Sequence, residues 1–192
     1  MALLRAMGRF LELVAMLIVA AGLARPVAKS QDGSSEYEVK AAFLFNFTRF
    51  VEWPPTAFTD DTTPFIIGLF HSDPFGPALR RVVDGQTVRG RAVEVRVVKE
   101  FDEVRACHLV FVSASEERRI PELLRSGAVG RTLAVGESAG FAHAGGVMNF
   151  VMDGSRVRFE VNLRAAERAG LKFSARLLSM ARLVDRRTRG DS

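Results

Sequence analysis

The chain has 192 residues, of which 27 are Lys or Arg and 22 are Asp or Glu, so its formal net charge at pH 7 is +5. This length favours a single domain. The charges are scattered and form no basic runs interleaved with aromatic residues, which argues against nucleic acid as a partner.

The N-terminus has the pattern of a secretory signal peptide. Arg5 and Arg9 precede an apolar stretch over 11–23, and Ala24 ends a small-residue cleavage site, with Ala21 as a second option. An uncleaved membrane anchor is the alternative, although the stretch is shorter than the ~20 residues that a spanning helix needs. We therefore expect the protein to be exported and cleaved after Ala24.

Composition divides the whole chain into four parts. A signal peptide is predicted over 1–24, and the small and polar residues 25–35 predict a flexible lead-in. Residues 36–184 are long enough to bury one hydrophobic core. The last residues, 185–192, are polar and predict a tail outside the domain.

The domain is predicted to begin with a helix over 36–53. Val39 and Phe43 belong to its apolar stripe, whereas Phe45 falls on its polar side. Pro54 follows and ends the helix. Four more helices are predicted, over 73–83, 115–127, 163–170 and 171–184. Asp73 and Asn162 are the expected N-caps of two of them, and Pro121 predicts a kink or a restart in a third.

Strands are predicted between these helices from continuous or alternating apolar patterns. They lie over 64–70, 91–99, 108–113 and 131–137, followed by a hairpin over 147–162 that turns at Asp153-Gly154. Strands therefore alternate with helices up to the hairpin. This order predicts an α/β fold, a single compact domain whose mixed β-sheet is flanked by helices, with a C-terminal β-hairpin followed by helices.

One short motif suggests an enzyme. Residues 136–140 read Gly-Glu-Ser-Ala-Gly, the G-x-S-x-G pattern of hydrolases with a serine nucleophile. Such a serine needs a helix after it and then an acid and a histidine, but glycines disfavour a helix here and His143 follows with no carboxylate before it. We expect no catalysis, and a secreted esterase that uses Ser138 is a remote alternative.

Metal and cofactor sites are not predicted either. His71, His108 and His143 are far apart in sequence and lack the spacing of zinc ligands. Cys107 is the only cysteine, so no disulfide can form within the chain, and in a strand it would point away from its neighbour His108. We expect Cys107 to be a small buried hydrophobic residue, and we expect no cofactor.

Several segments, taken in order, resemble one family. They are YEVKAAFLFNFTRFVEWP (37–54), DPFG (73–76), CHLVFVS (107–113), TLAVGESAGFAHAGGVMNF (132–150) and RFEVNLRAAERAGLKFSARLLSMARLV (158–184). Together they resemble the YfiR-like family of exported proteins, in which the serine after the Gly-Glu pair is not a nucleophile.

The resemblance implies a regulatory function. YfiR-like proteins are periplasmic α/β domains that commonly dimerise, and the best understood role is restraint of an inner-membrane diguanylate cyclase through its periplasmic sensory domain. A homodimer that binds such a membrane protein and lowers cyclic di-GMP output is therefore expected. The alternative is a periplasmic module that binds a small ligand and acts with a membrane sensor kinase.

The chain departs from the family at its cysteines. In the best-known relatives, the cysteine before the HLVFVS-like strand is joined to a cysteine in the strand before DPFG. Here Cys107 is kept, but the matching position is Gly68. A second cysteine pair, expected around FAHAGGVMNF (141–150), is also absent.

Binding modules expose apolar side chains, which gives three candidate partner-binding residues. Phe45 is on the polar side of the first helix, Phe141 is in the glycine-rich segment 136–146, and Trp53 is next to two prolines. For each of them, packing into the core of the domain is the alternative.

Overall fold

A computed structural model describes residues 32–58, 60 and 62–184. The predicted signal peptide over 1–24, most of the predicted lead-in and the predicted tail over 185–192 lie outside these residues.

Helices and strands alternate along most of the described chain. The α-helices are α1 (Asp32–Phe50), α2 (Pro77–Val83), α3 (Phe101–Arg105), α4 (Ile120–Arg125), α5 (Phe141–Ala144), α6 (Leu163–Arg168) and α7 (Ala175–Leu178). The strands are β1 (Val51–Glu52), β2 (Phe65–Phe70), β3 (Thr87–Val88), β4 (Arg91–Val98), β5 (Leu109–Val112), β6 (Leu133–Gly136), β7 (Met148–Asp153), β8 (Arg156–Val161), β9 (Lys172–Phe173) and β10 (Arg182–Leu183). Two 3-10 helices lie over Pro55–Ala57 and Ala114–Arg119.

An eight-stranded sheet has the order β10-β8-β7-β6-β5-β2-β4-β3. Its five central strands, β4-β2-β5-β6-β7, are all parallel. The order of these five strands is that of doubly wound, flavodoxin-like α/β folds. The hairpin partner β8 runs antiparallel to β7, and β10 runs parallel to β8 at the edge. The predicted mixed α/β sheet is therefore confirmed.

A separate two-stranded sheet joins the two ends of the domain. β1 follows directly on α1 and pairs antiparallel with β9, so that Val51 lies opposite Phe173. The backbone N–H of Ser174 also donates to the carbonyl of Phe50. The first helix is in this way fastened to the C-terminal part of the chain.

Aromatic side chains of α1 pack on the hairpin. The ring of Phe47 lies 5.6 Å from that of Phe150 and 5.0 Å from that of Phe159, measured between centroids. Phe47 is 1% exposed and Phe150 2%. Fully burying one such side chain contributes about 1.5–3 kcal/mol, so this contact contributes to holding α1 on the sheet.

The predicted apolar stripe of α1 is wrong in part. Val39 is 42% exposed, whereas Phe45 is buried. The buried face of α1 is rotated relative to the predicted stripe, because it includes the polar residues Lys40 and Thr48. The Lys40 ammonium is paired with a carboxylate, and the Thr48 hydroxyl donates to the carbonyl of Phe45. Hydrophobicity alone does not reveal such satisfied polar residues. The helix also begins at Asp32 and ends at Phe50, so it starts inside the predicted lead-in.

The helix predicted over 73–83 begins later than expected. The Asp73 carboxylate accepts hydrogen bonds from the backbone N–H groups of Phe75 and Gly76, which forms a turn, and α2 starts only at Pro77.

Two other predictions about helix starts are confirmed. The Asn162 side chain caps α6 by accepting from the N–H of Ala165, and Pro121 lies in the first turn of α4, where the helix restarts.

The single helix predicted over 171–184 is wrong. The segment forms β9, the one-turn helix α7 and β10 in succession. The Ser174 hydroxyl caps α7 by accepting from the N–H of Leu177, and pairing with β1 and β8 keeps the flanking residues extended. Tertiary pairing therefore overrides a helical pattern here.

Candidate functional site

The carboxyl ends of the parallel strands meet at one edge of the sheet, here called the carboxyl edge. Ser72 lies just after β2, Ser113 just after β5 and Glu137 just after β6. The strand order reverses between β2 and β5, and doubly wound folds bind their ligands outside the strand ends at such a reversal. The carboxyl edge is therefore where a functional site is expected.

The Glu137 carboxylate is the centre of the carboxyl edge. It accepts hydrogen bonds from the Tyr37 hydroxyl at 2.9 Å, from Lys40 Nζ at 2.6 Å and from the backbone N–H of Ala114 at 2.9 Å. The side chains of Lys40 and Glu137 are only 5% and 4% exposed. We call Glu36, Tyr37, Lys40 and Glu137 the Glu137 cluster, and it ties α1 to the loops after β5 and β6.

The charges of the Glu137 cluster are paired with one another. Lys40 also forms an ion pair with Glu36, one turn earlier on α1, and its Nζ lies 4.9 Å from the centroid of the Tyr37 ring. Burial and then the Glu137 carboxylate raise the pKa of Tyr37 well above its ordinary value. Tyr37 therefore stays protonated and donates its hydroxyl hydrogen to Glu137.

Three serines form a second group at the carboxyl edge. The Ser72 hydroxyl lies 2.9 Å from that of Ser113 and 3.1 Å from that of Ser115, and the latter two are 2.7 Å apart. These hydroxyls satisfy one another across the point where the strand order reverses. Beside them, Arg119 Nη1 contacts His71 Nε2.

A cavity of about 370 Å³ lies beside the Glu137 cluster. Its polar part includes all four residues of the cluster, and its apolar part includes Phe150 and Met152 of β7. Asn149 also contributes to the lining, with its side chain 1% exposed and without a hydrogen-bond partner for either amide atom among the described residues. Buried amides are normally hydrogen-bonded, so the unpartnered amide of Asn149 is an unusual feature of this cavity.

The carboxyl edge does not have the arrangement of a serine hydrolase. Ser138 is 5% exposed, and its hydroxyl finds no hydrogen-bond partner among the described residues, His143 included. A nucleophile needs a base within hydrogen-bond reach. The chain does form one turn of helix after the motif, α5, which the glycines were expected to disfavour. No group of three or more metal-ligating side chains occurs within the described residues.

The three candidate partner-binding residues all lie in the core. Phe45 is 7% exposed, with the Arg49 guanidinium 5.3 Å from its ring centroid. Trp53 is 3% exposed and packs edge-on against Phe65. Phe141 is 1% exposed and fills the space beside two glycines, where a Cβ on Gly136 or Gly146 would come within 2.4 and 2.1 Å of its ring. Partner binding by these side chains stays a prediction, and it would require them to leave the core.

Sequence reasoning missed most of the Glu137 cluster. In the sequence, Glu137 belongs to the hydrolase motif and to the family resemblance, and Lys40 belongs only to the segment 37–54 of that resemblance. Neither is a candidate site residue there, because a lone lysine on a helix is usually exposed. One local signal was present, the spacing of four residues between Glu36 and Lys40. The partnership with Glu137, distant in sequence, left no signal in the pattern.

Comparisons with known proteins identify the family and the fold. A family model described as YfiR/HmsC-like matches residues 37–182. No curated protein matches the chain. A solved structure of a conserved domain protein from Vibrio cholerae O1 biovar El Tor is 11% identical, with a TM-score of 0.50 over 78% of this chain. The ABC domain in complex with L-Trp from Streptococcus pneumonia is 13% identical, with a TM-score of 0.46 over 62% of this chain.

The two solved chains are longer than the matched region. This chain covers 60% of the Vibrio chain and 55% of the Streptococcus chain. At 11% sequence identity, the likeness to the Vibrio chain concerns the fold alone. None of the helices in the described part of the chain combines the length and the apolar character needed to cross a membrane.

Proposed function

Because the chain belongs to the YfiR/HmsC-like family, we propose that it is a non-catalytic periplasmic regulator of a membrane signalling protein. It binds the periplasmic sensory domain of an inner-membrane diguanylate cyclase and restrains it, which lowers cyclic di-GMP output. The regulator acts as a homodimer. The observation that carries the proposal is the family match, which extends over nearly the whole described domain.

The carboxyl edge is the surface we propose for the partner. Met152, which lines the cavity, is 46% exposed, and Val39, one turn along α1 from Glu36, is 42% exposed. Exposed apolar side chains around a polar cluster favour a protein contact. The paired charges of the Glu137 cluster hold α1 and the strand-end loops in a fixed arrangement, which a partner can recognise without further ordering.

The test is the intracellular level of cyclic di-GMP in the native host. Deleting the gene should raise that level, and deleting in addition the gene of the partner diguanylate cyclase, sought first beside this gene, should abolish the rise. A level that stays unchanged in the single deletion would contradict repression. A rise that persists without that cyclase would show that another protein is the target.

The same assay tests the surface. A Met152→Glu variant, expressed at the normal level, should fail to restore repression, because it places a charge in the apolar contact. The matched control is Leu163→Glu, since Leu163 is also exposed, at 36%, but lies after the far end of the hairpin. Equal repression by both variants would place the contact elsewhere.

Binding of a small ligand is a second candidate function, and the cavity with its unpartnered Asn149 favours it. A ligand that binds only the folded state stabilises it by RT ln(1 + [L]/Kd), so the melting temperature rises with the ligand concentration. We expect a screen of small polar compounds to give such a shift, and an Ala139→Phe variant to lose it, because Ala139 also lines the cavity. A shift that persists in the variant would place the ligand at another site.

A further inference from the structure

The outer edge of β4 has no strand partner along most of its length. β3 pairs only with Arg91 and Ala92, at the start of β4. From Val93 onward no strand among the described residues covers this edge, whereas the inner edge pairs with β2 throughout. Uncovered edges carry free backbone donors and acceptors, which are templates for pairing with another strand.

The geometry of the β3–β4 hairpin shows which backbone groups face outward. The turn is Arg89-Gly90, both with positive φ, and it is closed by the pair Val88 and Arg91. In a two-residue hairpin the closing pair exchanges backbone hydrogen bonds, so the N–H and C=O of Arg91 point outward, towards β3. Alternation along the strand then directs the N–H and C=O groups of Val93, Val95 and Val97 to the same outer edge.

The side chains of this edge segment, Val93–Val97, are divided between the two faces of the sheet. The three valines share one face; Val93 and Val95 are half-buried and Val97 is 42% exposed. A groove of about 360 Å³ separates Val93 and Val95 from residues 84–87. Glu94 and Arg96 lie on the other face, with side chains 46% and 51% exposed and an ion pair of 2.5 Å between them.

We propose that the edge segment pairs with the edge segment of a second copy of this chain. The two strands run antiparallel about a two-fold axis at Val95, which joins the two sheets into one. Val95 then lies opposite Val95 of the partner subunit and exchanges both backbone hydrogen bonds with it. Glu94 lies opposite Arg96 of the partner subunit, and Val93 opposite Val97 of the partner subunit.

Charge selects this register over its neighbours. A shift of the two-fold axis to position 94 sets Glu94 opposite itself, and a shift to position 96 sets Arg96 opposite itself. Like charges directly opposite are destabilising, whereas opposite charges stabilise a strand pair. With the axis at Val95, both charges of each subunit meet an opposite charge. β3 occupies the edge at Ala92 and so limits the pairing to the Val93–Val97 stretch.

The charge pattern permits a test by complementation. Glu94→Arg gives a chain with two arginines at the edge, and Arg96→Glu gives a chain with two glutamates. Each variant alone should dimerise at least about tenfold more weakly than the unchanged chain in analytical ultracentrifugation, because like charges then meet. An equimolar mixture of the two should form a heterodimer, and the double variant E94R/R96E should dimerise as the unchanged chain does.

This inference rests on the dimer that the proposed function includes, and the outcomes separate the two. An unchanged chain that is monomeric at 100 µM overturns the dimer and this surface together. An unchanged dimer that both single variants retain overturns only this surface. Single variants that are monomeric but fail to associate when mixed also overturn it. Repression of the cyclase is measured separately, in cells, and can stand whichever result is found here.

Discussion

At the scale of single residues, His108 shows how a titratable ring becomes part of the core. Its ring stacks between Phe58 and Phe65, with centroids 4.8 Å away in each case, and its Nδ1 accepts from the N–H of Ile66. Burial and then the nearby Arg91 charge lower the pKa of His108. The backbone of Ala57 opposes this in part, although Nε2 makes no hydrogen bond of normal geometry.

The lowered pKa of His108 predicts a loss of stability in acid. The ring is neutral in the folded state and takes up a proton more readily when unfolded, so the free energy of unfolding should fall as the pH decreases below about 6.5. For one proton, the free energy of unfolding changes by at most ~1.4 kcal/mol per pH unit. A His108→Asn variant keeps an acceptor for Ile66 and should show a smaller slope in urea unfolding between pH 5 and 6.5. Equal slopes would contradict the prediction.

Gly68 and Cys107 give a second prediction for single residues. A Cβ built on Gly68 would lie 3.5 Å from the Cβ of Cys107 and 2.6 Å from its sulfur. Disulfides have Cβ–Cβ distances of ~3.5–4.5 Å, so Gly68→Cys should form a bridge after a small shift of that sulfur. Burial raises the pKa of Cys107 to about 11, so oxidation will be most efficient during refolding, before the thiol is covered.

The bridge should raise the free energy of unfolding by ~3–4 kcal/mol, the range expected for a closed loop of this size. Thiol titration in denaturant should find no free thiol in the oxidised variant and two after reduction. Gly68→Ser is the matched control and should show no gain. A bridged variant that is no more stable than its own reduced form would contradict the prediction.

At the scale of secondary-structure elements, the Glu137 cluster fastens α1 to the strand-end loops. Removing Lys40 leaves Glu137 buried without its counter-charge, and the reverse change leaves Lys40 with only Glu36. Breaking a buried ion pair is strongly destabilising because an uncompensated charge remains. We expect Lys40→Met and Glu137→Gln to be coupled by about 1–3 kcal/mol in a double-mutant cycle of urea unfolding. Additive single effects would show that the pair contributes only through its separate contacts.

The longer strands, whose patterns are local, are predicted well, whereas the short helix α3 is not, although Glu100 and Glu103 form a capping box there. β2, β4, β5 and β6 follow from apolar patterns, and the β7–β8 hairpin follows from Asp153-Gly154. The short strands β1, β3, β9 and β10 were missed, because two residues carry no period and form strands only through distant partners. For the same reason the sequence predicted the fold class but not the order of the strands. The Glu137 cluster also depends on contacts between distant residues, so its site could not be located from the pattern.

At the scale of the whole molecule, the N-terminal helix and the C-terminal segment stabilise each other. β9 pairs with the strand that follows α1, and Leu171 and Leu177 are 2% and 1% exposed in the same core as α1. Folding should therefore be a single cooperative transition, in which α1 does not come loose before the sheet does.

Deletion of residues 171–192 tests this cooperativity. It removes β9 and the two buried leucines, each contributing about 1.5–3 kcal/mol, so the whole domain should lose stability and unfold at a lower urea concentration. Deletion of 185–192 alone is the matched control and should leave the transition unchanged, because the predicted tail is polar. Hydrogen exchange of the amides shows whether α1 unfolds together with the sheet. If the longer deletion exposes only the amides of α1 while the sheet keeps its protection, the domain consists of two independent folding units. If α1 and the sheet lose protection together, the contact between the chain ends stabilises the entire fold.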